Sequence, residues 1–339
     1  MNHVVFVLLP GVHLLDLAGP AQVFDTAASL GQPYRLSYFA EQEQVPSAQG
    51  LPLMAGTDWP GTGTGPAAGP GTAAGPGTAA GPGTAGAGAG RGPAAGLGPD
   101  DLIVVPGLRI PPVHGTGPEL GEKTLARLRA HHAAGGTVAG VCSGAAALGR
   151  AGLLDGRRCT THHQLQDEPA ARHPSATVVR DVLFTTDDRV VTSAGIASGL
   201  DLALHLLAVR HGPALAAEVA RDMVVYARRS GHDPQASAML RHRSHLDDTV
   251  HRVQDLIDAR YAEPLPLACL ASHAGVSERT LTRIFARATG GLTPLRYQQT
   301  LRLERAEHLI GHGATAETAA REVGFEDPRM LRRLRGRSR

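Results

Sequence analysis

Hydrophobic residues recur along this chain with two different periods, and the change of period divides the chain. In the first part, short apolar runs that predict strands alternate with helical patterns, at 4–9 (strand), 19–29 (helix), 34–40 (strand), 102–105 (strand), 119–134 (helix) and 138–141 (strand). Such alternation is typical of a parallel sheet with helices on both faces, so we expect an α/β sandwich of the flavodoxin-like type. Over 246–339 only the helical period remains, which predicts an all-α region.

The all-α region contains two helix-turn-helix patterns in tandem, an arrangement that presents a recognition helix to the major groove of DNA. In the first, an apolar segment at 267–271 is followed by Gly275, which permits a tight turn, and by Ser277, a good N-cap. The helical period then places Leu281 and Phe285 on an apolar face. The opposite face carries the side chains that we predict to contact DNA: Arg279, Thr282, Arg283 and Arg287.

The second pattern has the same order of elements. Thr315 is the expected N-cap of an apolar helix, and Asp327, followed by Pro328, is expected to cap the next one. The outward face of that last helix carries three further predicted DNA contacts: Arg329, Arg332 and Arg333.

A connecting helix is predicted at 294–310, with a length of about 25 Å at 1.5 Å per residue. This length is enough to set two recognition helices near the approximately 34 Å of one DNA turn. We expect the arginines of this helix to point outward: Arg296, Arg302 and Arg305. Each helix-turn-helix pattern taken alone has a plain alternative, a solvated basic face on a surface helix. Two patterns at this spacing favour double-stranded DNA as a partner.

Over 246–339 the chain resembles the AraC/XylS family of transcriptional regulators, through LACLASHAGVSERTLTRIFARATG, TPLRYQQTLRLERAEHLI and ETAAREVGFEDPRMLRRLR. By this resemblance the base-reading positions are Arg279, Thr282 and Arg283 in the first recognition helix and Arg329, Arg332 and Arg333 in the second. Two departures are visible. Arg335 stands where the family usually has an aromatic residue, shortly before the chain ends at Arg339, and Gly290 is followed by a second glycine. We therefore expect the second pattern to contact mainly phosphate.

The first part carries its main candidate chemistry at Cys142, directly after the strand predicted at 138–141. A nucleophile between a strand and a helix forms an elbow, which lifts the side chain into the crevice at the carboxyl edge of the sheet. The helix N-terminus that follows favours a thiolate, so we expect a lowered thiol pKa. The alternative is a small buried side chain with no part in a pocket.

The first part also resembles the ThiJ/PfpI domain, which is like the class I glutamine amidotransferases, through LLPGVHLLDLAGPAQVFD, LIVVPG, GVCSGAAALGRAGLLDGRRCTTHH and VVTSAGIASGLDLALHLL. The fusion of the two parts resembles the GlxA-type regulators. The resemblance to enzymatic relatives such as isocyanide hydratases implies that Cys142 is a nucleophile and that Asp16 handles the proton. The plain alternative for Asp16 is a helix cap.

One departure from these enzymatic relatives lies next to Gly107. They commonly carry a second glycine where Leu108 stands, and its amide helps to form an oxyanion hole. We therefore expect a pocket without confident catalytic residues. The residues predicted to bind a small ligand there are Asp16, Gly107, Cys142, Ser143 and His162.

Length and composition limit the remaining possibilities. With 339 residues, the chain is long enough for two domains, and we predict 1–228 as a sensory domain, 229–245 as a linker and 246–339 as a DNA-binding domain. A repeated Ala-Gly-Pro-Gly-Thr-Ala hexapeptide within 60–98 has almost nothing to bury, so we expect a disordered insertion there. Three widely separated cysteines argue against a disulfide framework and for a reducing compartment.

The remaining sequence features argue against a membrane protein, a secreted protein and a metalloprotein. No apolar run reaches the roughly 18 residues of a membrane span, and the apolar run at 4–9 is too short for a signal peptide. The 17 histidines show no metal-ligand spacing, and no cofactor is indicated. The sequence favours a cytoplasmic, homodimeric, DNA-binding regulator that responds to a small molecule and is not an enzyme. The alternative is a cysteine-dependent hydratase or amidase with an appended DNA-binding module.

Overall fold

The computed structural model describes residues 2–60, 96–109, 118–226, 229–311, 313–325 and 327–336. The chain forms two compact units, Met1–Gln235 and Ala236–Arg339. Most of the insertion predicted at 60–98, namely 61–95, lies outside the described residues. The segment 229–245, which we predict to be a linker, is divided between the two units. Its first residues contact the first unit, since the Leu183 amide donates to the Gly231 carbonyl at 2.9 Å.

The first unit is built on a mostly parallel sheet. Within the described residues its strands are β1 (Asn2–Leu8), β2 (Tyr34–Ala40), β3 (Gln44–Pro46), β4 (Pro52–Met54), β5 (Leu102–Val105), β6 (Thr137–Val141), β7 (Arg158–Cys159), β8 (Thr177–Val178), β9 (Phe184–Asp187) and β10 (Val190–Ser193). The main sheet has the order β2-β1-β5-β6-β10-β9, and only β9 is antiparallel to its neighbour. The parallel strands follow the 2-1-3-4-5 order of flavodoxin-like folds. The predicted α/β class is confirmed.

Helices cover both faces of this sheet, as predicted. They are α1 (Leu14–Ser29), α2 (Glu122–Ala133), α3 (Ala145–Arg150), α4 (Asp167–Arg172), α5 (Ser198–His211) and α6 (Pro213–Asp222). Alternate residues of β1 point to opposite faces. Phe6 is buried in a cluster with Phe24 of α1 and Leu204 of α5, whereas Val7 is buried in a second cluster with Leu128 of α2. The central strands are therefore apolar on both sides.

The second unit is entirely helical within its described residues, which confirms the predicted all-α region. Its helices are α7 (Ala238–Arg241), α8 (Asp248–Ala259), α9 (Leu267–Ala274), α10 (Glu278–Ala288), α11 (Pro294–Gly311), α12 (Ala316–Glu322) and α13 (Pro328–Arg335). Two separate apolar clusters hold them. One joins α8, α9 and α10 to the first half of α11, and the other joins α12 and α13 to its second half.

Candidate nucleic-acid interface and ligand crevice

The first helix-turn-helix unit consists of α9, a turn and α10. Gly275 ends α9 in the left-handed conformation with a φ of 68°, which a glycine adopts without strain. Ser277 caps α10, since its Oγ accepts a hydrogen bond from the Thr280 amide at 3.2 Å. Leu281 and Phe285 are fully buried against the neighbouring helices. The turn, the cap and the apolar face therefore lie where the sequence predicts them.

The opposite face of α10 carries the predicted DNA contacts. Arg279, Arg283 and Arg287 are all exposed. Thr282 is half-buried, and its hydroxyl donates to the Glu278 carbonyl one turn earlier, at 2.9 Å. The three guanidinium groups therefore form the basic face of α10, and the Thr282 hydroxyl is used within the helix.

The second unit repeats this arrangement with α12 and α13. Thr315 caps α12 by accepting from the Thr318 amide at 3.1 Å, and Asp327 caps α13 by accepting from the Arg329 amide at 2.8 Å. The helix α12 is held by buried Ala319 and Ala320. The predicted contacts of α13 are all exposed: Arg329, Arg332 and Arg333.

The connecting helix α11 contains one side chain that we predicted wrongly. Arg296 and Arg305 are exposed, as expected, but Arg302 points into the protein. Its guanidinium donates to the carbonyl oxygens of Tyr261 at 2.6 Å, Glu263 at 2.8 Å and Gly324 at 2.8 Å. The reason is local polarity: the loop after α8 and the turn after α12 direct their carbonyls at α11, and a guanidinium can donate to several of them at once.

A polar group at the base of α11 was not found by sequence reasoning. The hydroxyl of fully buried Tyr297 donates to Asp258 Oδ1 at 2.8 Å, and Arg243 donates to Asp258 Oδ2 at 2.6 Å and to Asp255 at 2.7 Å. Burial, followed by the carboxylate of Asp258, raises the pKa of the Tyr297 hydroxyl. Arg243, which lies in the predicted linker, thus belongs to the second unit.

The elbow of the first unit is present at Cys142. This residue follows β6 with a φ of 55°, in the left-handed region that non-glycine residues rarely adopt, and a short 3-10 helix (Cys142–Gly144) leads into α3. The Thr161 hydroxyl donates to the Cys142 carbonyl at 2.8 Å, so the strained backbone is held from outside. Only 5% of Cys142 is exposed.

Asp16 lies against Cys142, which agrees with the paired roles that the resemblance to enzymatic relatives implies for them. It stands in the first turn of α1, but the N-cap is His13, so the alternative reading of Asp16 as a helix cap is wrong. Asp16 is fully buried; its Oδ1 accepts from the Ile196 amide, and its Oδ2 has no hydrogen-bond partner among the described residues. A Cβ added at Gly107 would lie 2.4 Å from Asp16 Oδ2 and 2.6 Å from Cys142 Cβ, so only glycine fits there.

The electrostatics of this pair contradict the expected thiolate. Burial, with the adjacent carboxylate of Asp16, raises the pKa of the Cys142 thiol to about 12. Burial also raises the pKa of Asp16 above its usual range. Burial disfavours the charged thiolate, repulsion from the Asp16 carboxylate adds to this effect, and together they outweigh the helix N-terminus. The predicted lowering of the thiol pKa is therefore wrong.

Ser143 and His162 complete the set of predicted ligand-binding residues. The Leu108 amide donates to Ser143 Oγ at 2.7 Å, and that hydroxyl donates to the Leu108 carbonyl at 3.2 Å. His162 is half-buried, and its ring lies 4.2 Å from that of His163. Burial lowers the pKa of His162, and the nearby His163 and His13 add to this effect. The structure thus brings Asp16, Gly107 and Cys142 into contact, with Ser143 hydrogen-bonded to the neighbouring loop.

Two absences concern the described residues alone. Over these ranges, no three histidine, cysteine, aspartate or glutamate side chains are grouped so that they could hold a metal ion. In the same part of the chain, each helix is too short or too polar to span a bilayer.

Two protein families match parts of the chain. Residues 96–209 match the DJ-1/PfpI family, and residues 270–337 match the helix-turn-helix domain.

The chain is also similar to two regulators and one enzyme. The HTH-type transcriptional regulator CdhR of Pseudomonas aeruginosa is 32% identical over 200 residues, 59% of this chain and 59% of that protein. The HTH-type transcriptional regulator GlxA of Rhizobium meliloti is 28% identical, over 56% of this chain and 59% of that protein. Isonitrile hydratase of Pseudomonas putida is 29% identical, over 59% of this chain and 68% of that enzyme. The alignments span 49% to 59% of the first regulators matched.

Proposed function

We propose that this chain is a sequence-specific DNA-binding transcriptional regulator, of the kind that joins a DJ-1/PfpI domain to an AraC-type helix-turn-helix domain. The observation that carries the proposal is the pair of capped helices α10 and α13, whose apolar faces are buried while the arginines predicted to contact DNA are exposed. An arginine that faces solvent on such a helix can reach a base edge or a phosphate.

The two helices are proposed to make different contacts with DNA, α10 mainly with bases and α13 mainly with phosphates. On α10, Arg279 and Arg283 are one turn apart on the exposed face, so both can enter one major groove and donate to guanine. On α13 three of the arginines, Arg332, Arg333 and Arg335, lie in the last turn, which suits contacts to phosphate. With 18 residues, α11 is about 27 Å long, which suits two grooves about one DNA turn apart on one side of the duplex.

The first unit is proposed to act as a sensor. A thiol with a pKa near 12 is almost fully protonated at neutral pH, whereas the thiolate is the nucleophile. The Leu108 amide is engaged by Ser143, so it is not available to stabilise an oxyanion. We infer that an unknown small-molecule effector binds this unit with different affinity in two arrangements of a homodimer, and thereby changes DNA affinity. The cytoplasm is the proposed compartment, since the proposed DNA partner is there.

A second candidate function is a cysteine-dependent hydratase. It is favoured by the likeness to isonitrile hydratase and by the contact between Asp16 and Cys142. This candidate requires turnover of an isocyanide or amide that Cys142→Ser abolishes. Absence of turnover in the full chain, with specific DNA binding present, would rule it out.

Selection of bound duplexes from a random pool, with the full chain, tests the regulator. We expect a defined sequence to be enriched, and its affinity to fall steeply with salt. On the selected duplex, Arg283→Ala should cost about 1 to 3 kcal/mol, and the loss should vanish when one particular base pair is changed. Arg35→Ala, which removes an equal charge from an exposed strand position, is the matched control. Equal binding of selected and random duplexes would overturn the proposal.

A further inference from the structure

We propose that the effector of the first unit binds in a cavity beside Ser143 and α3, and that it is a small carboxylate with an apolar body about the size of a phenyl ring. This inference rests on the proposed regulator function, because it names the binding site and the ligand class of the sensory half. It also places the ligand away from the Cys142 thiol, whereas the sequence analysis predicts a pocket that includes this thiol.

The thiol side of the elbow is filled by the protein itself. Asp16 is fully buried, and Cys142 is 5% exposed. A Cβ at Gly195 would lie 2.1 Å from Cys142 Cβ, and one at Gly107 would lie 2.6 Å from the same atom. The backbone thus approaches the Cys142 side chain closely from two sides. A ligand at this position would have to displace packed main chain.

The cavity beside Ser143 lies on the other face of the sheet. Cys142 belongs to the apolar cluster of α1 and α5, whereas Leu9 and Val105 of the cavity wall belong to the cluster of α2 and α3. The cavity has a volume of about 160 Å³. Its apolar wall consists of Leu9, Val105, Leu108, Leu120, Ala146 and Ala147. An apolar cavity of about 150 Å³ is known to accept benzene, so this one suits a phenyl ring or a branched alkyl group.

Charge at the cavity points to an anionic ligand. Arg150 lies 3.3 Å from Glu119, and Arg172 lies 3.3 Å from Glu168, so these four lining residues form two ion pairs. Arg109 also lines the cavity, and it makes no ion pair with the described residues. Within the described part of the chain, the Arg109 guanidinium therefore has no acidic partner. A planar guanidinium can donate two parallel hydrogen bonds to a carboxylate. We therefore infer that the ligand carries a carboxylate group.

Calorimetric titration of the full chain with phenylacetate, in the absence of DNA, tests the site. Phenylacetamide and phenethylamine are the neutral and cationic analogues. We expect phenylacetate to bind at least tenfold more tightly than either. Arg109→Ala should remove this preference, Ala146→Phe should fill the cavity and abolish binding, and Arg35→Ala, an equal loss of charge elsewhere, should leave binding unchanged. A thermal melt of each variant shows that it is folded.

Two results would overturn this assignment. One is the absence of binding by phenylacetate, benzoate and isovalerate. The other is binding that survives both Arg109→Ala and Ala146→Phe but is lost in Cys142→Ala, which would place the ligand at the thiol.

Duplex selection with the same protein separates this inference from the regulator proposal. Sequence-specific DNA binding without carboxylate binding overturns the cavity alone. Carboxylate binding without sequence-specific DNA binding overturns the regulator and supports the cavity as a ligand site.

Discussion

The Nη1 atom of Arg302 lies 2.8 Å from the carbonyl oxygen of Gly324, so the connecting helix α11 holds the turn of the second helix-turn-helix unit. The same guanidinium donates to two carbonyls in the loop after α8, those of Tyr261 and Glu263. The ring of Tyr261 packs against both apolar clusters of the second unit. Arg302 therefore joins the two clusters with polar contacts where the apolar contacts between them are few.

Replacement of Arg302 by methionine keeps a long side chain but removes every donor. We expect Arg302→Met to lower the local stability of α12 and α13 by about 2 kcal/mol, because three carbonyls lose a charged partner. Hydrogen exchange of the main-chain amides, read by mass spectrometry, measures this loss. Arg305→Met, on the exposed side of the same helix, should change protection by less than about 0.5 kcal/mol. Equal protection in the two variants would show that Arg302 does not hold the second unit.

Two turn glycines give a matched pair of substitutions. Gly275 and Gly324 both have positive φ, at 68° and 83°. A Cβ at Gly324 would lie 1.9 Å from the Ala262 carbonyl oxygen, whereas a Cβ at Gly275 would have nothing within 4 Å. Gly275→Ala should cost about 1 to 2 kcal/mol for the left-handed backbone alone. Gly324→Ala should cost clearly more in urea unfolding followed by circular dichroism, since the turn must also move away from Ala262. The reverse order would contradict the close approach.

The Cys142 thiol should react slowly at neutral pH. Because burial and the Asp16 carboxylate raise its pKa far above neutral, the thiol is almost fully protonated at pH 7, and the alkylation rate should rise about tenfold per pH unit while the pH stays below that pKa. Exposed Cys269 serves as the internal standard. Iodoacetamide labelling with peptide mass mapping follows both residues in one sample. Labelling of Cys142 faster than Cys269 at pH 7 would contradict the raised pKa and favour the hydratase over a sensor without catalysis.

The buried carboxyl of Asp16 should make stability depend on pH. Its pKa is raised in the folded chain, so folding favours the protonated form; this stabilisation is complete below the unfolded value near 3.8 and is lost as pH rises through the folded pKa. Asp16→Asn should therefore raise the melting temperature at pH 7 more than at pH 3.5. Asp25→Asn, exposed on the same helix, is the control for the removed charge. A gain that is equal at the two pH values would contradict the raised pKa.

Features set by neighbouring residues could be predicted from the sequence. The strands β2 and β5 have the predicted bounds, because each is a continuous run of residues that suit a sheet. The caps at Ser277, Thr315 and Asp327 were also predicted correctly, since a cap depends on a side chain and an amide two or three residues away. The helix α1 begins at Leu14 rather than at the predicted 19, because Pro20 is accommodated inside it.

Features that depend on distant residues could not be predicted. The helical period gives the direction of Arg302 around α11, but not the carbonyls of Tyr261 and Gly324 that attract it inward. The same holds for Cys142: its position after a strand suggests an activated thiol, whereas Asp16 from a different helix decides the outcome. The cavity beside Ser143 is formed by several separate segments, and no local pattern in the sequence marks it.

The two clusters of the second unit have a consequence for how target sites diverge. Leu281 and Phe285 anchor α10 in one cluster, and Leu331 anchors α13 in the other. A mutation of one of these anchoring side chains therefore leaves the side chains that bury the other recognition helix unchanged. If both helices contact DNA as proposed, the DNA sequence that one helix recognises can change during evolution while the sequence that the other recognises stays the same.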